Sequence, residues 1–152
     1  GSSCTITDLN FRFGGTASAD PLSTAVGVNH SWVSDLKFTL RSPAGTSVVF
    51  FDRPGNCSSN NLAALTLDDD GGFPPVENQC GGGTDAAFPS GTFSPSNPFS
   101  AFDGQSSAGT WTLNASDNAA QDTGTVRAFS LIISGCPVAT PTPTPAPSRP
   151  WR

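Results

Sequence analysis

Leu36-Lys37-Phe38-Thr39-Leu40-Arg41, then Ser42-Pro43-Ala44-Gly45, then Val48-Val49-Phe50-Phe51: these fourteen positions decide the fold class. Leu36, Phe38 and Leu40 alternate with Lys37, Thr39 and Arg41, so one face is apolar and the other wet, as in a half-buried β-strand. Ser42 to Gly45 has the Pro and Gly of a tight turn. The apolar run Val48–Phe51 has no polar face, which predicts a strand buried on both sides.

The same signature repeats outward. Leu9, Phe11 and Phe13 alternate with polar residues, as do Val26, Val28, His30 and Trp32, and Gly, Ser, Asp and Pro fill the gaps. On the C-terminal side, Trp111, Leu113 and Ala115 alternate with Thr110, Thr112 and Asn114, and a last strand carries Phe129, Leu131 and Ile133. Val126 is out of phase with that last face, which predicts a β-bulge near Arg127-Ala128. Between Asp52 and Ser107 the pattern loosens, with Phe73, Phe88, Phe93, Phe99 and Phe102 as aromatic anchors. A structureless loop of that length is rare in a compact domain, so short strands are expected inside it.

A chain of 152 residues with 36% hydrophobic content supports one modest core. No stretch repeats at helical spacing, and the composition is rich in Gly, Pro and Phe, so the expected class is all-β. The formal net charge of -5 and the scattered basic residues leave no footprint for nucleic acid. No apolar run is long enough to span a bilayer, so a membrane role is not expected. No signal-peptide pattern opens the chain, which reads as a segment of a longer protein. From Pro137 a Thr-Pro-rich stretch extends to Arg152. Residues 1–136 are expected to form the domain and 137–152 a linker or tail, which in polyproline conformation would reach ~50 Å.

Cys4, Cys57, Cys80 and Cys136 lack the C-x-x-C spacing of a zinc site and read as two disulfides. Cys57–Cys80 would hold the irregular segment, and Cys4–Cys136 would join the ends outside the first and last strands. The other two connectivities stay open at this point. Each bridge would contribute ~3–5 kcal/mol by loop-closure arguments, and both imply an oxidising compartment.

Several segments in order resemble the P domain, or Homo B domain, of subtilisin-like proprotein convertases and related bacterial secreted proteases. They are Asn29-His30-Ser31-Trp32-Val33-Ser34-Asp35-Leu36, Leu40-Arg41-Ser42-Pro43-Ala44-Gly45-Thr46 and Phe51-Asp52-Arg53. Further on come Ala101-Phe102-Asp103-Gly104-Gln105, Gly109-Thr110-Trp111-Thr112-Leu113, Asp117 through Thr125, and Phe129-Ser130-Leu131. Ser34 stands where Gly is usual, and Phe129 where Trp is common. The resemblance implies a jelly-roll-like β-sandwich of about eight antiparallel strands. It implies a non-catalytic module that stabilises or regulates a protease catalytic domain in the same secreted parent chain and binds calcium. The alternative is a carbohydrate- or protein-binding module of a secreted multidomain protein.

Asp68-Asp69-Asp70 places three carboxylates side by side, which is unfavourable unless a cation offsets their repulsion. Calcium is the matching hard-oxygen partner, and Asp35 and Asp117, each following a Trp-containing segment, are expected to join the triplet at one rim of the sandwich. An EF-hand is excluded: Thr66 would stand at loop position 1, and Pro74-Pro75 interrupts the loop. Asp122, in the turn Asp122-Thr123-Gly124, is read as structural.

His30 is the only histidine, so any Ser-His or Cys-His mechanism must use it. It is in phase with Val26 and Val28, and no nucleophile motif accompanies it. Gly104-Gln105-Ser106-Ser107-Ala108 lacks the final glycine of a nucleophile elbow, and Gly81-Gly82-Gly83 lacks the Lys of a phosphate loop. No catalytic residue is expected. Trp32 and Trp111 share strand faces with other apolar residues and are expected in the core rather than stacked on a sugar.

Overall fold

The computed structural model describes residues 3–55 and 57–136. The Thr-Pro stretch from residue 137 lies outside them. Nine strands follow in order: β1 (Asp8–Phe13), β2 (Val28–His30), β3 (Leu36–Arg41), β4 (Ser47–Asp52), β5 (Leu65–Leu67), β6 (Gly91–Phe93), β7 (Thr112–Asp117), β8 (Gly124–Val126) and β9 (Phe129–Ser134). Three 3₁₀ turns complete the regular structure, at Val33–Asp35, Val76–Asn78 and Phe99–Phe102.

One sheet has the order β6-β5-β1-β9, a second β4-β3-β7, and a small ribbon pairs β2 with β8. The class is all-β and sandwich-like, as the alternation requires. The nine strands of the described residues meet the expectation of about eight, and one detail differs from an antiparallel sandwich: β5 pairs with β6 in parallel. The chain between them has more than the dozen residues a parallel crossover needs, so it can return in the same direction.

β3 buries Leu36, Phe38 and Leu40 and leaves Lys37, Thr39 and Arg41 outward. On β4 the apolar run is accommodated by a register shift: Phe38 faces Phe51 while Thr39 faces Val49. The extra residue, Phe50, bulges, and both phenylalanines reach the core instead of opposite faces. Phe50 lies within 4.5 Å of Phe11 by ring centroid and 6.1 Å of Phe38, and Phe51 lies 5.7 Å from Phe38.

The phase break at Arg127-Ala128 is also present. Both backbone N–H groups donate to the Gly27 carbonyl, at 2.7 and 3.1 Å, and two residues opposite one is the signature of a bulge. Here the chain leaves β2 and joins β1, with Phe13 opposite Phe129 and Leu9 opposite Ile133. Gly27 must be a glycine for this crossing, since a Cβ would stand 2.8 Å from the Gly14 carbonyl.

Both expected disulfides form, Cys4–Cys136 and Cys57–Cys80, with Cα atoms 4.9 and 5.3 Å apart. The irregular segment is anchored as its aromatics suggest, with Phe88, Phe93, Phe99 and Phe102 buried and Phe73 half-buried. Ring contacts run from Phe13 and Phe11 through Phe50 and Phe99 to Phe102 and Trp111.

Candidate functional site

His30 is 1% exposed and tied at both ring nitrogens. The Trp32 backbone N–H donates to Nδ1 at 3.0 Å, which puts the ring proton on Nε2, facing Asp117 Oδ2 at 3.2 Å. Neither nitrogen is left to accept a proton from a nucleophile, and no serine or cysteine stands in that position. Its role is structural: it locks β2 to the end of β7. Ser31 donates its hydroxyl to Asp122, so Asp122 fastens the loop between β7 and β8 to β2.

β3 and β7 run antiparallel with Leu36 opposite Asp117, which brings Asp35 and Asp117 to the same end. Asn118 adds two bonds to the Asp35 carbonyl, from its backbone at 2.9 Å and its side-chain amide at 3.0 Å. The Asp35 carboxyl is pushed above the usual aspartate range, chiefly by burial and then by the charges of Asp117 and Asp122. Asp35 is 8% exposed as a residue.

Beside it lies a hollow of about 420 Å³ lined by Trp32, Ser34, Asp35, Arg53, Pro54 and Gly55. Trp32 is 38% exposed there, which corrects the expectation of a core residue. β2 stops at His30, and the 3₁₀ turn that follows buries Val33 in place of the tryptophan. Arg53 sits at φ 52°, a left-handed conformation uncommon for a residue with a side chain. Its backbone N–H donates to Leu36 O at 3.0 Å, which holds that turn against β3. A second, apolar cleft of about 300 Å³ opens where β7 and β8 diverge, floored by Val28, Leu36 and Phe38.

The acidic triplet is elsewhere. It follows β5, in the other main sheet. Its charges act on Asp8, whose carboxyl is raised first by burial and then by Asp70, Asp68, Asp69 and Asp103. Asp35 and Asp117 therefore do not join it at one rim. The triplet also serves local structure: Asp68 Oδ1 accepts the Asp70 N–H at 2.9 Å, and Asp69 Oδ2 accepts the Ser100 N–H at 3.1 Å. Among the described residues, no three His, Cys, Asp or Glu side chains stand close enough to hold a metal ion as they are. Sequence reasoning missed the Asp8 and Asp103 neighbours and the Arg53 wall. The turn residues Arg53-Pro54-Gly55 directly after an apolar strand were the available signal for the latter.

In this all-β domain the one histidine is occupied in holding strands together. Residues 76–133 match the family model of the proprotein convertase P-domain, which supports the P-domain resemblance read from the sequence motifs. No curated protein and no solved structure matches the chain. A P domain is a non-catalytic accessory domain. The two disulfides fit an oxidising, extracellular setting.

Proposed function

We propose that this chain is the accessory module of a secreted protease, packing on a catalytic domain in the same parent chain and stabilising it. The observation that carries the reading is the P-domain match over residues 76–133 on a disulfide-held sandwich. The test is deletion of residues 1–136 from the parent protein. A catalytic domain that then fails to accumulate in folded form supports the reading. A fully stable protease that loses only substrate capture opposes it and favours a binding module.

Calcium belongs to the same proposal, with a different set of carboxylates preferred. Asp68, Asp69, Asp70 and Asp103 all lie close enough to raise the Asp8 carboxyl, after burial, so these five acidic residues form the larger group. A modest closing of the 68–70 loop would let them share a hard cation, with water completing its 6–8 oxygens. Asp35 and Asp117 lie with Arg53 and His30 and are less suited. Thermal unfolding in chelator and then in millimolar calcium tests this, because a ligand of the folded state must raise the midpoint. The rise should vanish in Asp69→Asn and persist in Asp35→Asn; no rise at all would reduce the triplet to a loop fastener.

A further inference from the structure

The hollow beside Trp32 combines features that the accessory role leaves unused. Trp32 presents more than a third of its surface at the rim. Asp35 lines the hollow with a side chain that is largely buried, 8% exposed as a whole residue, and its carboxylate oxygens are not among the buried unpartnered atoms. Arg53 also lines the hollow, beside Pro54 and Gly55, at a strained backbone angle of φ 52°. Strain of that kind costs of order ~1–3 kcal/mol and persists where the surroundings over-determine it. Ser34 adds a hydroxyl. The floor is rigid, because Val33 is fully buried and Asp35 N–H closes the 3₁₀ turn on Trp32 O at 3.1 Å.

Charge decides the ligand class. An inorganic or organic cation would be drawn to Asp35 and the tryptophan face but repelled by Arg53. An anion would meet Arg53 but also Asp35, with Asp117 and Asp122 behind it. A neutral polyhydroxylated ring avoids both penalties. Its hydroxyls donate to the carboxylate and accept from the guanidinium, both charge-assisted bonds, while its C–H face lies on the indole. The volume of about 420 Å³ is at the small end of ligand pockets, which run ~300–1,000 Å³, and suits one or two sugar rings with the remainder of a polymer outside.

We propose that this hollow binds a neutral saccharide unit, with Trp32 as the stacking platform and Asp35 and Arg53 as the hydroxyl-reading pair. The site is separate from the proposed calcium loop and does not depend on the protease role. It gives the module a means of holding its parent protein on a neutral polysaccharide.

The experiment is affinity electrophoresis of the chain through gels containing hydroxyethylcellulose, xylan, galactomannan or soluble starch, with polygalacturonate as the acidic comparison. All runs contain chelator, so calcium plays no part. Retardation by at least one neutral polymer is expected. It should weaken at least tenfold in Trp32→Ala and in Arg53→Ala and be largely restored in Trp32→Phe, which keeps a platform. Phe129→Ala, an exposed aromatic on the far strand, should bind as the wild type does. No retardation by any of the four neutral polymers would overturn the proposal. So would retardation unchanged in Trp32→Ala, or binding to polygalacturonate alone. Trp32 is at the surface, so its variants are expected to fold, and an unchanged far-ultraviolet dichroism spectrum checks that.

Discussion

The chain up to Phe102 and the chain after it are built differently. Before that point lie all the buried apolar residues, including Phe11, Phe13, Phe38, Phe50, Phe51, Phe99 and Phe102 at 0% exposure. After it no described residue is fully buried, although β7 and β9 carry apolar residues at alternate positions, Leu113 and Ala115, and Phe129, Leu131 and Ile133. β7 and β9 are the outer strands of their sheets, and each is paired on one side only. Trp111, Leu113, Leu131 and Ile133 pack against the core without being enclosed by it. Alternation thus reports which way a side chain faces, and sheet order decides how far it is covered. The first region supplies the cohesion, and the second is a partly open wall that must be held on by other means.

The largest test of that contrast is the bridge between the two regions. Cys4–Cys136 spans 132 residues and ties the end of β9 to the first strand. Replacing both cysteines with alanine is expected to cost about 4–5 kcal/mol by loop-closure arguments, read as a fall in the urea midpoint. Removing Cys57–Cys80, with a separation of 23, should cost about 3 kcal/mol. Equal losses would mean that the outer wall holds without its staple. Next come matched phenylalanines. Phe50→Ala removes a ring in contact with Phe11, Phe13, Phe38 and Phe99 and should cost about 3–5 kcal/mol. Phe129, 48% exposed and stacked on Phe11 at 5.6 Å, should cost only about 1 kcal/mol. Comparable losses at the two positions would erase the distinction.

Much of this was legible in the sequence. The Leu36–Arg41 alternation and the phase break at Arg127-Ala128 follow from period, which is a local property, while the cysteine spacing favoured the observed pairing without excluding the other two. What failed was long-range. Trp32 reads as core because it continues the phase of Val28 and His30, but three residues of 3₁₀ turn change the period, and Val33 takes the buried place. Asp35 and the Asp68–Asp70 triplet look alike as rim carboxylates. Only strand order places one at the end of β3 and the other after β5 in a different sheet. The double burial of Phe50 and Phe51 was legible as an apolar run, but not as a bulge, because a register shift depends on the partner strand.

A smaller effect distinguishes the two carboxylates whose environments disfavour their charge. Asp8 and Asp35 both have carboxyls raised above the ordinary value. Each therefore holds its proton more tightly in the folded state than in the unfolded state, so its favourable contribution is present below the unfolded value and is lost as pH rises through the folded one. Asp35→Asn removes that loss. The variant should melt above the wild type near neutrality, and the gap should close as pH falls through the acidic range. A gap independent of pH would mean that the amide acts through packing rather than charge.

The smallest expected effect lies next to one of the largest. Lys37 faces Asp52 across β3 and β4 with Nζ 3.6 Å from Oδ2, and both side chains are substantially exposed. An exposed pair of this kind gains little, because water screens the attraction and two long side chains must be ordered to make it. Lys37→Ala should change stability by less than about 0.5 kcal/mol, and even that should disappear at high salt. Phe38→Ala, one residue on, should cost about 3–5 kcal/mol. The two residues share a strand, a neighbour and a turn, so the ratio between them isolates what the inward face of β3 contributes. If that ratio collapsed, cohesion would have to be assigned to the strand ladder itself, and the half-exposed β7 and β9 would need no explanation beyond their hydrogen bonds.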